Sequence, residues 1–325
     1  MANYVKKMNY FCKGNFILGQ VVRYACLNNR KFSSPISKEI EDHGIKQIGV
    51  IGAGQMGFGI ALVAAQIAQL PVKVLDSNPK QIEKGLSFVD GLLEKDVVKN
   101  RITREKATET KSRITTTTSI SEFSSMSFII EAIPEDVDLK REIFAKLDQI
   151  TSDDTILATN TSSISITKIA AATKKPDKVI GMHFMNPVPI MRLVEIIPGL
   201  ETSSYTCNVT KKLATSMGKT FTESQDVPGF IANRLLMPYI NEAVIALEQG
   251  VASRDDIDTT MKLGTNVPMG PLTLADHIGL DTCLAIMKVL HKEIGDSKYR
   301  PAVFLQKLVD AGRLGKKSGK GFYEY

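Results

Sequence analysis

Residues 45–76 read IKQIGVIGAGQMGFGIALVAAQIAQLPVKVLD, and this stretch decides the fold of the first half of the chain. Its opening, residues 45–51, is short, apolar and β-prone. The glycine-rich turn GAGQMG at residues 52–57 follows, and an alanine-rich helical stretch, 58–68, comes next. A second β-prone run then ends on Asp76. Strand, glycine turn, helix, strand and acid in this order predict the first unit of a parallel, Rossmann-type α/β sheet.

The composition of the glycine-rich turn predicts a dinucleotide site. Gly52 permits the tight turn, Gly54 lets the backbone approach a pyrophosphate, and Gly57 lets helix and strand pack closely. The N–H groups of the helix N-terminus, which carries Gln55 and Met56, then face the phosphates. The alternative is a glycine-rich turn in some other kind of α/β unit.

Asp76 indicates which dinucleotide binds. It stands about twenty residues past the last glycine of the turn, where an acid accepts hydrogen bonds from the ribose hydroxyls. Its negative charge would repel a 2′-phosphate. We therefore expect NAD rather than NADP as the cofactor.

The charge of the chain is concentrated at its N-terminal end. The 325 residues, a length sufficient for two domains, carry a net charge of +6. Residues 1–38 hold seven lysines and arginines and no Asp or Glu, so the remainder is close to neutral. A net positive charge that comes from the N-terminal segment alone does not indicate a nucleic-acid partner, and we expect none.

Residues 1–44 precede the first strand and are interpreted as a targeting leader or a disordered tail. Basic, acid-free sequence interleaved with apolar and aromatic residues resembles a mitochondrial transit peptide, which predicts the mitochondrial matrix. The alternative location is the cytoplasm. The most apolar run of this leader, 16–27, contains Arg23 and is too short to span a bilayer, so we expect no membrane partner.

The cysteines give no sign of a metal site or a disulfide framework. The sequence has four of them, widely spaced, at Cys12, Cys26, Cys207 and Cys283. Metal-binding and disulfide-rich chains show short repeated spacings instead. We expect no bound metal and a reducing environment.

Further strands continue the sheet and bring polar residues to its edge. The β-prone runs are 114–118, 127–133 and 155–159. Ligands of open parallel sheets gather at the carboxyl ends of the strands. Residues just past strands, namely Glu135, Ser162 and Asn186, are therefore placed to line a site. For Ser162, a helix N-cap is the alternative.

His183 and Glu195 stand twelve residues apart in a run that reads strand, turn, strand. The prolines at 187 and 189 interrupt the first strand, and a second apolar strand holds Glu195 at its centre. An isolated buried carboxylate is very costly, so Glu195 needs a partner, and His183 is in reach if the strands pair. A histidine held by a carboxylate is a tuned general base. The alternative is a satisfied core histidine.

The character of the sequence changes at Pro228 and Gly229. After them the pattern is helical, over 231–249, 254–263, 271–294 and 302–312, and ends in the glycine-spaced basic tail 315–322. We therefore predict an α/β Rossmann-type NAD-binding domain at 45–228 and an all-α C-terminal domain at 229–325.

With these motifs in order, the chain resembles the 3-hydroxyacyl-CoA dehydrogenase family and is most similar to its short-chain 3-hydroxybutyryl-CoA members. The resemblance covers about residues 45–325. The segments that carry it are VIGAGQMG, NTSSISIT, HFMNPVPIMRLVE, PGFIANRLL, PMGPL and GKKSGKGFY. Met185, where the family usually has Phe, is a departure that leaves the acyl-chain preference open.

The resemblance implies roles for individual residues. In the family, the residue matching His183 is the catalytic base, the residue matching Glu195 pairs with it, and those matching Ser162 and Asn233 contact the substrate. Asn186 matches a position near the nicotinamide, and Lys99 matches a contact to a coenzyme A phosphate. The further positions that match cofactor contacts are Glu135, Lys140 and Lys317.

The resemblance also implies an activity and an assembly. We expect NAD-dependent interconversion of (S)-3-hydroxyacyl-CoA and 3-oxoacyl-CoA in fatty-acid metabolism and β-oxidation, by a homodimer formed through the C-terminal domain. Two alternatives remain open. One is a hydroxy-acid or polyol dehydrogenase of the same architecture that uses no coenzyme A, and the other is a catalytically idle NAD-binding protein.

Overall fold

The computed structural model describes residues 42–325, so the predicted leader, 1–44, lies almost entirely outside the described residues. Eight strands form one sheet. Their bounds are β1 Ile48–Ile51, β2 Val72–Leu75, β3 Ile114–Thr117, β4 Phe128–Glu131, β5 Ile156–Thr159, β6 Val179–Phe184, β7 Leu193–Pro198 and β8 Thr220–Glu223.

Eleven α-helices are found in the described residues. Their bounds are α1 Gln55–Gln66, α2 Pro79–Val98, α3 Arg104–Ser112, α4 Val137–Ile150, α5 Ile166–Ala170, α6 Ser204–Ser216, α7 Ala232–Glu248, α8 Arg254–Gly264, α9 Pro271–Ile278, α10 Leu280–Ile294 and α11 Val303–Asp310.

The strand order is β3-β2-β1-β4-β5-β6-β7-β8, and the first six of these strands run parallel. The chain changes direction once, because β6 pairs with β7 antiparallel through the proline-containing turn. β8 then pairs parallel with β7 at the edge of the sheet. This doubly wound order, with β1 at its centre, is the Rossmann arrangement predicted from the glycine turn.

The central strands are apolar on both faces because helices cover both faces of the sheet. In β4, Phe128 and Ile130 pack into the core on the α1 side, whereas Ile129, between them, packs into the core that holds Phe144 and Leu147 of α4. Continuous apolar strands of this kind are typical of parallel sheets buried on both sides. A ligand can therefore reach the sheet only at the ends of its strands, so the site must lie there.

The helices after residue 231 have a hydrophobic core of their own, built from α7 to α11 and closed by Phe322 of the tail. The predicted fold class, an α/β Rossmann-type domain followed by an all-α domain, is confirmed. The predicted single helix over 271–294 is wrong. Gly279, with φ +103°, separates α9 from α10, because only glycine adopts that conformation freely.

The sequence analysis did not predict α6 or β8. β8 is exposed along most of its length and has only one apolar residue, Phe221, so it shows no buried-strand pattern. In residues 42–325, no helix is both long enough and apolar enough to cross a membrane.

Candidate active site

The glycine turn between β1 and α1 is held by two close approaches of the backbone. Gly52 has φ +104°, and a Cβ on it would lie 2.5 Å from the carbonyl oxygen of Ala132. A Cβ on Gly57 would lie 1.8 Å from the carbonyl oxygen of Gly52. By contrast, a Cβ on Gly54 would meet nothing within 4 Å. The first and last glycines are thus needed for the turn itself, and the middle glycine faces open space where a ligand's phosphates can approach.

Asp76 follows β2 and points back toward the glycine turn. Its carboxylate accepts hydrogen bonds from the N–H of Ala53 at 2.9 Å and the N–H of Asn78 at 2.9 Å. These two bonds fix the orientation of a carboxylate at the carboxyl end of the strand. The remaining lone pairs of its oxygens are available to hydroxyl groups of a ligand.

A cleft of about 700 Å³ opens beside this turn. It is large enough for part of a dinucleotide, and its walls join the glycine turn and Asp76 to apolar side chains that can cover a flat ring system. The lining residues that matter here are Gly52, Gly54, Asp76, Ile133, Leu139 and Ile143. The open space at Gly54, the exposed N-terminus of α1 and the fixed Asp76 carboxylate together fit NAD.

His183 and Glu195 face each other directly across the antiparallel pair β6–β7. The His183 Nδ1 lies 2.8 Å from Glu195 Oε2. A carboxylate can only accept, so Nδ1 carries the proton and Nε2 of the neutral ring is the free base. His183 is 8% exposed and Glu195 is 1% exposed.

The second oxygen of Glu195 is bound by the helical half of the chain. Oε1 accepts hydrogen bonds from the N–H groups of Ile231 at 3.0 Å and Ala232 at 2.9 Å, where α7 begins. Burial raises the pKa of the Glu195 carboxyl, but His183 and these two N–H groups outweigh burial and hold the pKa below its usual value. Glu195 is therefore a carboxylate at neutral pH, and its Oε2 accepts the hydrogen bond from Nδ1 of His183.

Ser162 lies in the loop between β5 and α5, next to Glu135. The Ser162 N–H and Oγ donate to Glu135 Oε1 at 2.8 and 3.0 Å. The Ser162 carbonyl oxygen accepts from Nδ2 of Asn233, in the first turn of α7, at 3.2 Å. The alternative role of Ser162 as a helix N-cap is wrong, because Ser165 caps α5.

Asn186 lies in the turn between β6 and β7 and is exposed. Its Oδ1 accepts a hydrogen bond from Nε2 of Gln55 in the first turn of α1, at 3.3 Å. Gln55 and Asn186 thus bridge the glycine turn and the strand that carries His183. This bridge brings the dinucleotide cleft next to the His183–Glu195 pair.

The other predicted site residues are more widely spread. Met56 is half-buried in the first turn of α1. Lys99 is exposed at the end of α2, and Lys317 pairs with Asp281 at 2.7 Å. Within the described residues, no hydrogen bond or ion pair joins Lys99 or Lys317 to the cluster around His183. Lys140 is 1% exposed and pairs with Glu131 at 2.6 Å.

The sequence analysis did not predict three groups that contribute to the site. The N–H groups of Ile231 and Ala232 have no side-chain signature. Asn160, whose Oδ1 accepts from the Phe184 N–H at 2.8 Å and so holds the end of β6, resembles an ordinary loop residue. Glu131 was detectable, because it is a carboxylate in the apolar run FIIE and so needs a buried partner.

Comparison with known proteins identifies the family. The model for the NAD-binding domain of 3-hydroxyacyl-CoA dehydrogenase matches residues 47–227, and that for the C-terminal domain matches residues 229–325. A 3-hydroxybutyryl-CoA dehydrogenase of Bradyrhizobium diazoefficiens is 47% identical over 281 residues, which is 86% of this chain and 96% of that protein.

Two further relatives extend the comparison. The mitochondrial hydroxyacyl-coenzyme A dehydrogenase of Homo sapiens is 41% identical over 302 residues, covering 90% of this chain and 95% of the relative. The solved structure of (S)-3-hydroxybutyryl-CoA dehydrogenase from Ralstonia eutropha is 45% identical and aligns with a TM-score of 0.83, covering 86% of this chain and 99% of that chain. The chain therefore belongs to the 3-hydroxyacyl-CoA dehydrogenase family.

Proposed function

We propose that the protein is an NAD-dependent dehydrogenase that interconverts (S)-3-hydroxybutyryl-CoA and acetoacetyl-CoA. The observation that carries this proposal is the imidazole of His183, fixed at 2.8 Å by Glu195 beside a cleft that fits NAD. Family membership and the names of the relatives support the acyl-CoA substrate.

In this reaction His183 is the base. Its Nε2 takes the proton of the C3 hydroxyl, while NAD, when bound, supplies the nicotinamide carbon that accepts the hydride. Glu195 keeps the Nδ1 proton in place and stabilises the imidazolium that forms. In the reverse direction the imidazolium returns its proton to the oxygen of the 3-oxo group.

Ser162 and Asn233 are proposed to hold the hydroxyl or thioester oxygen of the substrate. Both are half-buried, and they come from the two different parts of the fold. Their hydrogen bond at 3.2 Å supports a shared site at the junction. A substrate gripped from both sides is held in one orientation relative to His183, which is a main source of rate acceleration.

The remaining residues are proposed to bind the cofactor and the coenzyme A handle. Asp76 accepts the ribose hydroxyls, and Asn186 lies against the nicotinamide. The positions proposed to contact NAD besides these are Gly52, Gly54, Gln55, Met56, Gly57, Glu135, Lys140 and Lys317. Lys99, exposed at the end of α2, is proposed to meet a phosphate of coenzyme A.

The assembly and the location are also proposals. The domains are taken as 45–228 and 229–325, and the helical domain is proposed to form a homodimer. Residues 1–44 are proposed to direct the chain to the mitochondrial matrix, for a role in β-oxidation. The basic, acid-free sequence of residues 1–38 supports this location. A fluorescent fusion that stays in the cytoplasm would favour the alternative location.

The test of the activity is a spectrophotometric assay of NADH oxidation with 3-oxoacyl-CoA substrates of increasing chain length. We expect turnover with acetoacetyl-CoA and NADH and much weaker turnover with NADPH. Turnover of a free hydroxy acid without acyl-CoA activity would instead identify a dehydrogenase that needs no coenzyme A. NADH binding without turnover of any of these substrates would identify an idle NAD-binding protein.

A further inference from the structure

A buried ion pair lies behind the candidate active site, at the end of β4. Nζ of Lys140 is 2.6 Å from Glu131 Oε1, and the two side chains are 1% and 0% exposed. Glu131 also accepts hydrogen bonds from Oγ1 of Thr159 at 2.6 Å and the N–H of Ile133 at 2.7 Å. The pair thus joins the carboxyl ends of the neighbouring strands β4 and β5.

The cost of burying two charges makes a purely stabilising role unconvincing. Desolvation of a buried ion pair often cancels its attraction, and apolar residues of similar size can be as stable. The presence of a buried ion pair is better explained if one of its charges also interacts with a residue of the active site. Lys140 has such a partner, because its Nζ lies 3.5 Å from Oε2 of Glu135.

Glu135 holds the loop that carries Ser162. Its Oε1 accepts hydrogen bonds from Oγ1 of Thr161 at 2.7 Å, from Ser162 N–H and Oγ at 2.8 and 3.0 Å, and from Ser163 N–H and Oγ at 3.0 and 3.2 Å. One carboxylate oxygen therefore fixes three consecutive residues. The position of Ser162 depends on where this carboxylate sits.

Apart from these hydrogen bonds and Lys140, few contacts hold the Glu135 side chain in place. It lies in the connection between β4 and α4, and its side chain is 37% exposed. Desolvation raises the pKa of its carboxyl, but the Lys140 ammonium and the bonds from Thr161 and Ser162 outweigh desolvation and lower the pKa overall. Lys140 is the cation on the buried side of Glu135, and Glu131 in turn fixes Lys140.

We propose that Glu131 and Lys140 are positioning residues for the dehydrogenase reaction, which fix Glu135 and through it the substrate-binding orientation of Ser162. The inference rests on the proposed function. It gives Lys140 a role on the substrate side, beyond the cofactor contact implied by family resemblance. It assigns Glu131, whose side chain is 0% exposed, to the same chain of contacts.

The first experiment compares two lysines on the same helix. Lys140→Met removes the cation behind Glu135. Lys146→Met, the matched control, removes a lysine of α4 that pairs only at the surface, with Glu142 at 2.6 Å. We expect Lys140→Met to lower kcat for acetoacetyl-CoA reduction by roughly 10- to 100-fold, as small misplacements of a binding group do. The control should retain normal turnover.

The second experiment separates positioning from stability. The paired variant Glu131→Gln/Lys140→Met removes both buried charges, so thermal stability lost in Lys140→Met should largely return. Turnover should stay low, because Glu135 still lacks its cation. Recovery of turnover together with stability would overturn the proposal. The paired variant also provides the test if Lys140→Met alone does not fold.

A double-mutant cycle tests whether the effect passes through Ser162. In a Ser162→Ala background, Lys140→Met should lower kcat much less than it does in the wild type, because the group being positioned is gone. Full, additive losses in that background would overturn the proposal. Absence of acyl-CoA turnover by the wild-type protein would instead refute the proposed function, so the two failures are distinguishable.

Discussion

At the scale of single residues, Glu195 shows how the fold accommodates a charge inside an apolar strand. Its neighbours are apolar, yet one oxygen binds His183 and the other binds two backbone N–H groups. The contact with His183 could be predicted, because a buried carboxylate needs a partner and a histidine stood within reach. The N–H groups of Ile231 and Ala232 could not, since a backbone donor leaves no trace in the residue types.

The lowered pKa of Glu195 predicts how stability responds to acid. A carboxyl whose pKa is depressed in the fold stabilises it above the ordinary value of 4.5 and loses that effect as the pH falls through the folded value. The difference in unfolding free energy between the wild type and Glu195→Gln should thus be largest near neutral pH and shrink below about 4.5. Urea titrations at several pH values measure it, and a difference independent of pH would contradict the assignment.

At the scale of elements, strands and helices with a strongly apolar face could be predicted, whereas β8, which is mostly exposed, and α6, whose buried face includes threonines, could not. β5 was predicted to within one residue of its observed bounds, because the β-prone run 155–159 is apolar and buried. β8 was missed because it lies at the sheet edge and is mostly exposed. The break at Gly279 was missed because glycine inside an apolar helical pattern is compatible with a continuous helix.

The docking of the tail on α9 gives a prediction at this scale. Asp276, 1% exposed, accepts from the N–H groups of Phe322 and Tyr323, each at 2.9 Å, and from the Tyr325 hydroxyl at 3.1 Å. Asp276→Ala should destabilise the protein by about 3 kcal/mol, because each buried donor left unpaired costs about 1–3 kcal/mol.

Thermal unfolding and limited proteolysis of the tail measure this effect. Asp310→Ala is the control, since Asp310 is exposed at the end of α11 and only accepts a bond from Gln306. Equal stability and equal protease resistance of the two variants would mean that the Asp276 contacts do not hold the tail.

At the scale of the whole molecule, the candidate site belongs to neither half of the chain alone. The α/β half contributes His183, Glu195 and Ser162, while the start of α7 contributes Asn233 and the N–H groups that bind Glu195. The strand pattern predicted the pairing of His183 with Glu195, and the family resemblance predicted Asn233 as a site residue. They did not predict the contacts between halves, which depend on how separate elements pack.

Cofactor binding should stabilise the folded chain in a way that depends on Asp76. At about 100 times its dissociation constant, a ligand adds roughly 2.7 kcal/mol, so NADH should raise the melting temperature by several degrees. NADPH at the same concentration should raise it less, because its 2′-phosphate meets the Asp76 carboxylate. Asp76→Ala should reduce the NADH shift, and equal shifts from both cofactors in the wild type would contradict the assigned role.

The most direct test of the account is the rate at which His183→Gln and the wild type reduce acetoacetyl-CoA with NADH. Glutamine keeps a polar side chain but cannot exchange a proton, so kcat should fall by about 10²- to 10⁴-fold. NADH affinity, measured by fluorescence titration, should be unchanged. Near-normal turnover by the variant would contradict the claim that this imidazole, held by Glu195, is the base of the reaction.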